Sequence, residues 1–288
     1  MLHFLKSLIK HFLSKAPLQK GATLGYYAAF SFLPMIIIVI SILGIVFGKQ
    51  AVSGDIFHQL DGSVGDTAAR QIQTIIKNQH LHHNHILTTI VGVATLVLGA
   101  SGMLSQIHNS LNAMWDIKAK PKNSILRYLK KHLLSFCVLI FLVFVTLVTS
   151  TMSSFLIKYK NDLHPDHEFL YLYEHAVSFF IICTVFFIIF KTLSDAIVHW
   201  KIALWGSLFT GILFMLGKIL IAYIIGKSHL HTAFGSTSVL AIIMLWVYYT
   251  SQIIFLGSSF IKLLSKKLDL PIVPKSRAVQ IEMVEVKH

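Results

Sequence analysis

Ile202-Ala203-Leu204-Trp205-Gly206-Ser207-Leu208-Phe209-Thr210-Gly211-Ile212-Leu213-Phe214-Met215-Leu216-Gly217-Lys218-Ile219-Leu220-Ile221-Ala222-Tyr223-Ile224-Ile225 carries a single charged side chain, Lys218. A helix that crosses a bilayer core needs about 20 apolar residues. The apolar positions here are continuous rather than alternating, so the stretch reads as a spanning helix and not as a barrel strand. Comparable runs occur at residues 24–47, 86–110, 132–156, 176–193 and 238–264, with the quoted one at 202–225. The expected fold is therefore all-α: a polytopic integral membrane protein of six transmembrane helices. Composition agrees, because 55% of the 288 residues are hydrophobic and 13% are charged, with a mean hydropathy of +0.70. A soluble domain carries about 25% charged residues, and so apolar a chain cannot stay solvated as a disordered one.

The formal net charge of +13 would fit either nucleic acid or an anionic membrane surface. Its distribution decides. Alternate loops collect Lys6, Lys10, Lys15 and Lys20; Lys118, Lys120, Lys122, Arg127, Lys130 and Lys131; Lys191 and Lys201; and Lys262, Lys266, Lys267, Lys275, Arg277 and Lys287. The opposite side has Lys49, Arg70, Lys77, Lys158, Lys160 and Lys227, offset by Asp55, Asp61, Asp66, Asp162, Asp166, Glu168 and Glu174. By the positive-inside rule both termini are expected in the cytoplasm. Anionic lipid head groups are the expected partner, with Lys6, Lys10, Lys118, Lys120, Lys122, Arg127, Lys130, Lys131, Lys266 and Lys267 as the contacts. No nucleic acid is expected, since the second loop offers only Tyr128, with Trp115 nearby, for base stacking.

This organisation divides the chain into an arm (1–20), a six-helix domain (21–265) and a polar tail (266–288) expected to be mobile. In the arm, Leu2, Leu5, Leu8, Ile9, Phe12 and Leu13 share one helical face and Lys6 and Lys10 another, the pattern of a helix lying on the inner leaflet. Residues 67–78 place Ala68, Ile72, Ile75 and Ile76 on one face behind an N-cap at Asp66 or Thr67, an expected second amphipathic helix on the outer side. The first span is too long for a signal-peptide core and has no A-x-A-like site after it. Cys137 and Cys183 lie inside apolar runs and read as small buried hydrophobes, not as a disulfide framework or a zinc site.

Four segments resemble the YihY/BrkB family of bacterial inner-membrane proteins, formerly classed as ribonuclease BN. Gly25-Tyr26-Tyr27-Ala28-Ala29-Phe30-Ser31-Phe32-Leu33-Pro34 is similar to the family's aromatic opening ending in Ser-x-x-Pro. Gln106-Ile107-His108-Asn109-Ser110-Leu111-Asn112-Ala113-Met114-Trp115 is similar to its Asn-x-x-Trp signature. Trp200-Lys201 with Gly206 resembles the start of its fifth span; Phe234-Gly235-Ser236, Leu245-Trp246-Val247-Tyr248 and Gly257 resemble its sixth. Where the family often has an acidic residue two positions after the glycine matching Gly257, this chain has Ser259. The resemblance implies a six-helix protein of the bacterial inner membrane, from a family for which transport, including that of lipids, is often suggested and no settled biochemical activity is implied.

Lys218 is the candidate residue with most chemical weight. A charge within a span costs several kcal/mol, so the lysine either faces a hydrated cavity, alongside Ser207, Gly211 and Ala222, or snorkels outward beside Tyr223. Tyr248, Gln252 and Ser259 make a polar stripe on the sixth span; Thr95, Gly99, Gly102, Gln106 and Asn109 make one on the second; Ser31, Pro34 and Ser41 line the first. Such stripes serve either helix packing or a translocation path, with Pro34 the candidate hinge. His80-Leu81-His82-His83-Asn84-His85 nearly spells the H-x-H-x-D-H nuclease motif, but Asn84 replaces its aspartate and no βαβ pattern surrounds it. His80, His82 and His85 remain weak metal or proton-sensing candidates in a solvated loop. No cofactor motif, nucleophile elbow or paired carboxylates occur, so catalysis is not expected. The expected function is translocation of a lipid or small polar solute; the alternative is a non-transporting protein of envelope integrity or partner binding. No inverted repeat is visible, and the sequence sets no oligomeric state.

Overall fold

The computed structural model describes residues 2–31, 85–120, 167–227 and 238–281. The expected third span, the first-outer-loop helix, Pro34, His80, His82, Lys122, Arg127, Lys130 and Lys131 lie outside these residues. Six helices and four short strands occur in the described chain: α1 (Leu2–Ser14), α2 (17–31), α3 (His85–Met114), β1 (Ile117–Ala119), α4 (His167–Thr192), β2 (Ala196–Ile197), α5 (Trp200–Lys227), α6 (Ser238–Lys267), β3 (Val273–Pro274) and β4 (Ala278–Gln280).

The arm is not one helix. Ala16 takes φ 48°, a left-handed backbone that breaks α1 from α2, and Pro17 then occupies the first turn of α2, where its missing N–H is no loss. The two faces of α1 differ from the single apolar face expected. Leu8 is buried and Phe4 meets Phe260 edge-on at 5.8 Å, whereas Leu5, Ile9 and Leu13 form an exposed apolar stripe one turn apart. Exposed Lys6 and Lys10 border that stripe. The 100° step between residues thus gives α1 a protein flank, an apolar open flank and a charged flank.

Two described helices are long and apolar enough to cross a membrane, Trp200–Ile221 and Leu240–Lys267; Ala176–Thr192 is a shorter apolar helix. Only 33% of the first and 28% of the second is buried within the protein, whereas a core helix of a soluble protein would be mostly buried. Their patterning is inside out. Ser207 and Thr210 on α5 and Ser251, Ser258 and Ser259 on α6 are buried, while Trp205, Ile212, Leu216 and Leu220 stand exposed along one side of α5. That order suits lipid, where large apolar groups face outward and small residues let backbones approach.

Contacts divide the chain into two compact units. The first comprises Met1–Leu18, Gln106–Leu220 and Thr250–His288; the second comprises Gln19–Ser105 and Ile221–Tyr249. In the first, α5 and α6 touch through glycine. A Cβ on Gly257 would collide with the Thr210 hydroxyl, and one on Gly206 with the Ile261 side chain. Gly211 accommodates Cys183 of α4, which is buried as expected for a small hydrophobe. Trp115, Phe190, Phe255 and Ile202 fill its core. In the second unit, Gly99 and Gly102 of α3 receive Ser31 and the Tyr27 ring of α2, and Gly25 lies against the Met244 carbonyl.

The all-α expectation needs one correction. β1 pairs antiparallel with β4, Ile117 opposite Gln280 and Ala119 opposite Ala278; β2 pairs with β3, Ala196 opposite Pro274. The tail expected to be mobile is therefore held as far as Ile281, whose N–H donates to the Asp116 carbonyl at 2.8 Å. Backbone pairing ties it down despite its polar sequence, which hydropathy alone cannot reveal.

Candidate functional site

Two polar clusters lie in the first unit where α3 and α4 end. The first begins at Trp115. Its indole N–H donates to the Ser258 carbonyl at 3.0 Å, and its own carbonyl accepts from Lys262 Nζ at 2.9 Å and from Gln280 at 3.2 Å. The next residue, Asp116, has φ 58°, a left-handed turn that aspartate tolerates better than most residues and that sends the chain into β1. Its carboxylate takes Lys15 from the end of α1 on one oxygen and Lys262, at 3.3 Å, on the other. Burial favours the neutral acid, but the hydrogen bond from Lys15 and the nearby charge of Lys262 outweigh it and hold the Asp116 carboxyl below its ordinary range. His11, one turn before Lys15, has both ring nitrogens buried without a hydrogen-bond partner among the described residues. Burial first, then the charge of Lys15, pushes its pKa below the usual histidine value.

The second cluster joins α3 to the α4–α5 connection. Asn112 Oδ1 accepts from the Asp195 backbone N–H at 2.8 Å, and Asn112 Nδ2 donates to Asp195 Oδ2 at 3.1 Å. The same amide nitrogen is 3.3 Å from His108 Nδ1, one turn earlier, and His108 Nε2 is 3.1 Å from Asp195 Oδ2. This pattern assigns Nδ1 as the acceptor and places the ring proton on Nε2, toward the carboxylate. All three side chains are buried. Lys275 closes the cluster, with its backbone N–H on the Asp195 carbonyl at 2.8 Å and its ammonium on the Ser194 carbonyl at 2.7 Å. Burial pushes the Lys275 pKa down.

The residues expected from sequence to line a path are placed as follows. Lys218 is exposed, on the flank of α5 that also carries buried Ser207 and Gly211. Gln252 donates to the Pro17 carbonyl at 3.2 Å, with its Oε1 buried and without a hydrogen-bond partner among the described residues. Ser259 is buried against the Met114 sulfur at 3.8 Å, so the position where the family often has an acid is packed in protein. Tyr248 and Gln106 are half-buried and Asn109 is exposed. Ser31 returns its hydroxyl to the Tyr27 carbonyl at 2.8 Å within α2, beside Gly99. Of the expected lipid contacts, Lys6, Lys10, Lys118, Lys120, Lys266 and Lys267 are exposed, and Lys267 lies 6.0 Å from the Phe4 ring centre. His85 begins α3. No group of three metal-ligating side chains occurs among the described residues.

The sequence reading selected Asn109 and passed over His108 and Asn112, its buried neighbours. Lys262 counted there only as one of the basic residues, and Asp116 and Asp195 were given no role. The available signal was the one-turn spacing of His108 and Asn112 near the end of α3, and acids two and three residues after the ends of α3 and α4.

Comparison with known proteins assigns the chain. The family described as "Virulence factor BrkB" matches residues 8–281. A UPF0761 membrane protein of Saccharophagus degradans is 22% identical over 266 residues, covering 92% of this chain and 60% of the relative. One from Pseudomonas aeruginosa is 23% identical over 256 residues, covering 88% and 61%. One from Glaesserella parasuis is 23% identical over 214 residues, covering 73% and 71%. The chain thus spans about three fifths of the length of the first two relatives. No solved structure matches. With the family match running from α1 to the residue after β4, this chain belongs to the virulence factor BrkB family of membrane proteins.

Proposed function

We propose that this protein is a six-span translocator of the bacterial inner membrane, with both termini cytoplasmic, that moves a lipid or a small polar or amphipathic solute. Lys218 carries the reading. Its side chain is exposed on α5 within an apolar helix, on the flank that bears Ser207 and Gly211. Direct exposure of an ammonium to hydrocarbon is costly, so water or a polar solute is the favourable neighbour on that flank. The inner-side lysines gather anionic head groups, and the chain has no catalytic or nucleic-acid role in this scheme.

The test is reconstitution into liposomes containing fluorescent phospholipids, with wild type compared with Lys218→Ala and Lys218→Gln. Accelerated flip-flop that both variants lose is the expected result. If wild type and empty vesicles behave alike, lipid translocation is wrong. If wild type is active and the variants equal it, Lys218 has no part in the path.

A further inference from the structure

His11 lies in the last turn of α1 and Lys15 follows four residues on, just past the helix end, and Lys262 and Lys266 are one turn apart on α6. Side chains at that spacing share a helical face. Asp116 takes Lys15 and Lys262 on its two oxygens, which turns both pairs toward one corner. Two ammonium groups therefore meet one carboxylate, and Lys266 adds its charge near His11. His11 adds an imidazole whose two nitrogens are buried and unpartnered among the described residues. Buried polar groups without partners are rare in native proteins and call for an explanation such as a ligand.

We propose that His11, Lys15, Lys262 and Lys266 form a binding site for a phosphate group, carried by a lipid head group or free in solution. The chemistry fits because the corner holds more ammonium charge than Asp116 offsets, and phosphate supplies several acceptor oxygens together with that missing negative charge. Burial and the neighbouring lysines keep His11 neutral near pH 7, so its ring offers one N–H donor to a phosphate oxygen. Lys266 is exposed and gives the corner an open side. The site is separate from Lys218 and stands whether or not the protein translocates a solute; loss of binding here leaves the flip-flop result to be judged by itself.

The test uses the full chain in detergent at constant ionic strength. Thermal stability is titrated with inorganic phosphate, with dihexanoylphosphatidylglycerol and with dihexanoylglycerol, which lacks phosphate. Wild type is compared with Lys266→Gln, which alters an exposed side chain outside the Asp116 bridge, and with His11→Gln/Lys266→Gln. A saturable rise in Tm with a phosphate-bearing probe, not given by dihexanoylglycerol and about tenfold weaker in apparent affinity in the variants, is expected; tenfold corresponds to about 1.4 kcal/mol. A response to inorganic phosphate identifies free phosphate as sufficient, and a response to the phospholipid alone identifies a lipid head group. No saturable rise with either phosphate-bearing probe overturns the proposal, as does a rise that both variants retain in full.

Discussion

Lys262 and Trp115 are tied by a reciprocal exchange between α6 and the end of α3. The lysine donates to the Trp115 carbonyl at 2.9 Å, while the Trp115 indole donates to the carbonyl of Ser258, one turn before Lys262, at 3.0 Å. Both partners are buried, so neither bond competes with bulk water.

Replacing Trp115 separates these contributions. Trp115→Phe keeps most of the apolar volume but removes the indole donor, with an expected loss of about 1–2 kcal/mol. Trp115→Ala also opens a cavity and is expected to cost about 3–5 kcal/mol. Denaturant unfolding of the purified protein in detergent measures both. A Trp115→Phe variant as stable as wild type would mean that the hydrogen bond contributes nothing.

Asp116→Asn leaves Lys262 buried without its counter-ion and is expected to destabilise by about 1–3 kcal/mol. A double-mutant cycle with Lys15→Ala isolates the pair with Lys15. Coupling of at least about 0.5 kcal/mol is expected for residues in one network. Additive losses would show that the two side chains act independently.

Acid should weaken the fold in two stages. His11 has a lowered folded pKa, so its contribution is present above the unfolded value near 6.5 and is lost as pH falls through the folded value. Asp116 is also lowered, and its contribution is present above the unfolded value near 3.8 and lost at still lower pH. Tm between pH 7.5 and 5 is therefore expected to fall in wild type and to fall less in His11→Gln. Parallel profiles would remove His11 as the titrating group.

Asn112 holds Asp195 through both its amide oxygen and its amide nitrogen. Asn112→Ala is expected to cost about 1–3 kcal/mol by orphaning buried groups. Asn112→Asp is expected to be worse at pH 7, because it faces two carboxylates with each other, and to recover on mild acidification as one takes a proton. A pH series of Tm for the two variants distinguishes them: recovery in Asn112→Ala but not in Asn112→Asp would contradict the arrangement.

At the α5–α6 crossing, Gly257→Ala drives a methyl group into the Thr210 hydroxyl, with an expected cost of about 1–3 kcal/mol. Thr210→Ala in the same chain should return part of it. Failure of the second substitution to relieve the first would place the strain elsewhere.

The helices were legible because membrane solubility imposes a local rule on every turn. The run from Ile202 announced α5, and the run near residue 238 announced α6, without any knowledge of neighbours. The stripe through Gly99 and Gly102 was also visible, and its close contacts with Ser31 and Tyr27 belong to packing. Asn112 and Trp115 stood out as a motif, yet nothing local to them indicated Asp195 or Ser258 as partners. The tail was misread because its two pairings with β1 and β2 use backbone groups, which leave little mark on side-chain polarity.

Sequence by itself determined the apolar helices, the side-by-side asymmetry of basic residues and the absence of recognisable catalytic motifs. Tertiary structure alone decided which charges meet. Lys15 finds Asp116 across 101 residues, and Asn112 finds Asp195 across 83. Periodicity is a property of neighbouring turns and is written into each segment. A pairing between distant helix ends depends on how the chain closes in space, and there Asp116, two residues past the end of α3, becomes the half-buried partner of two lysines.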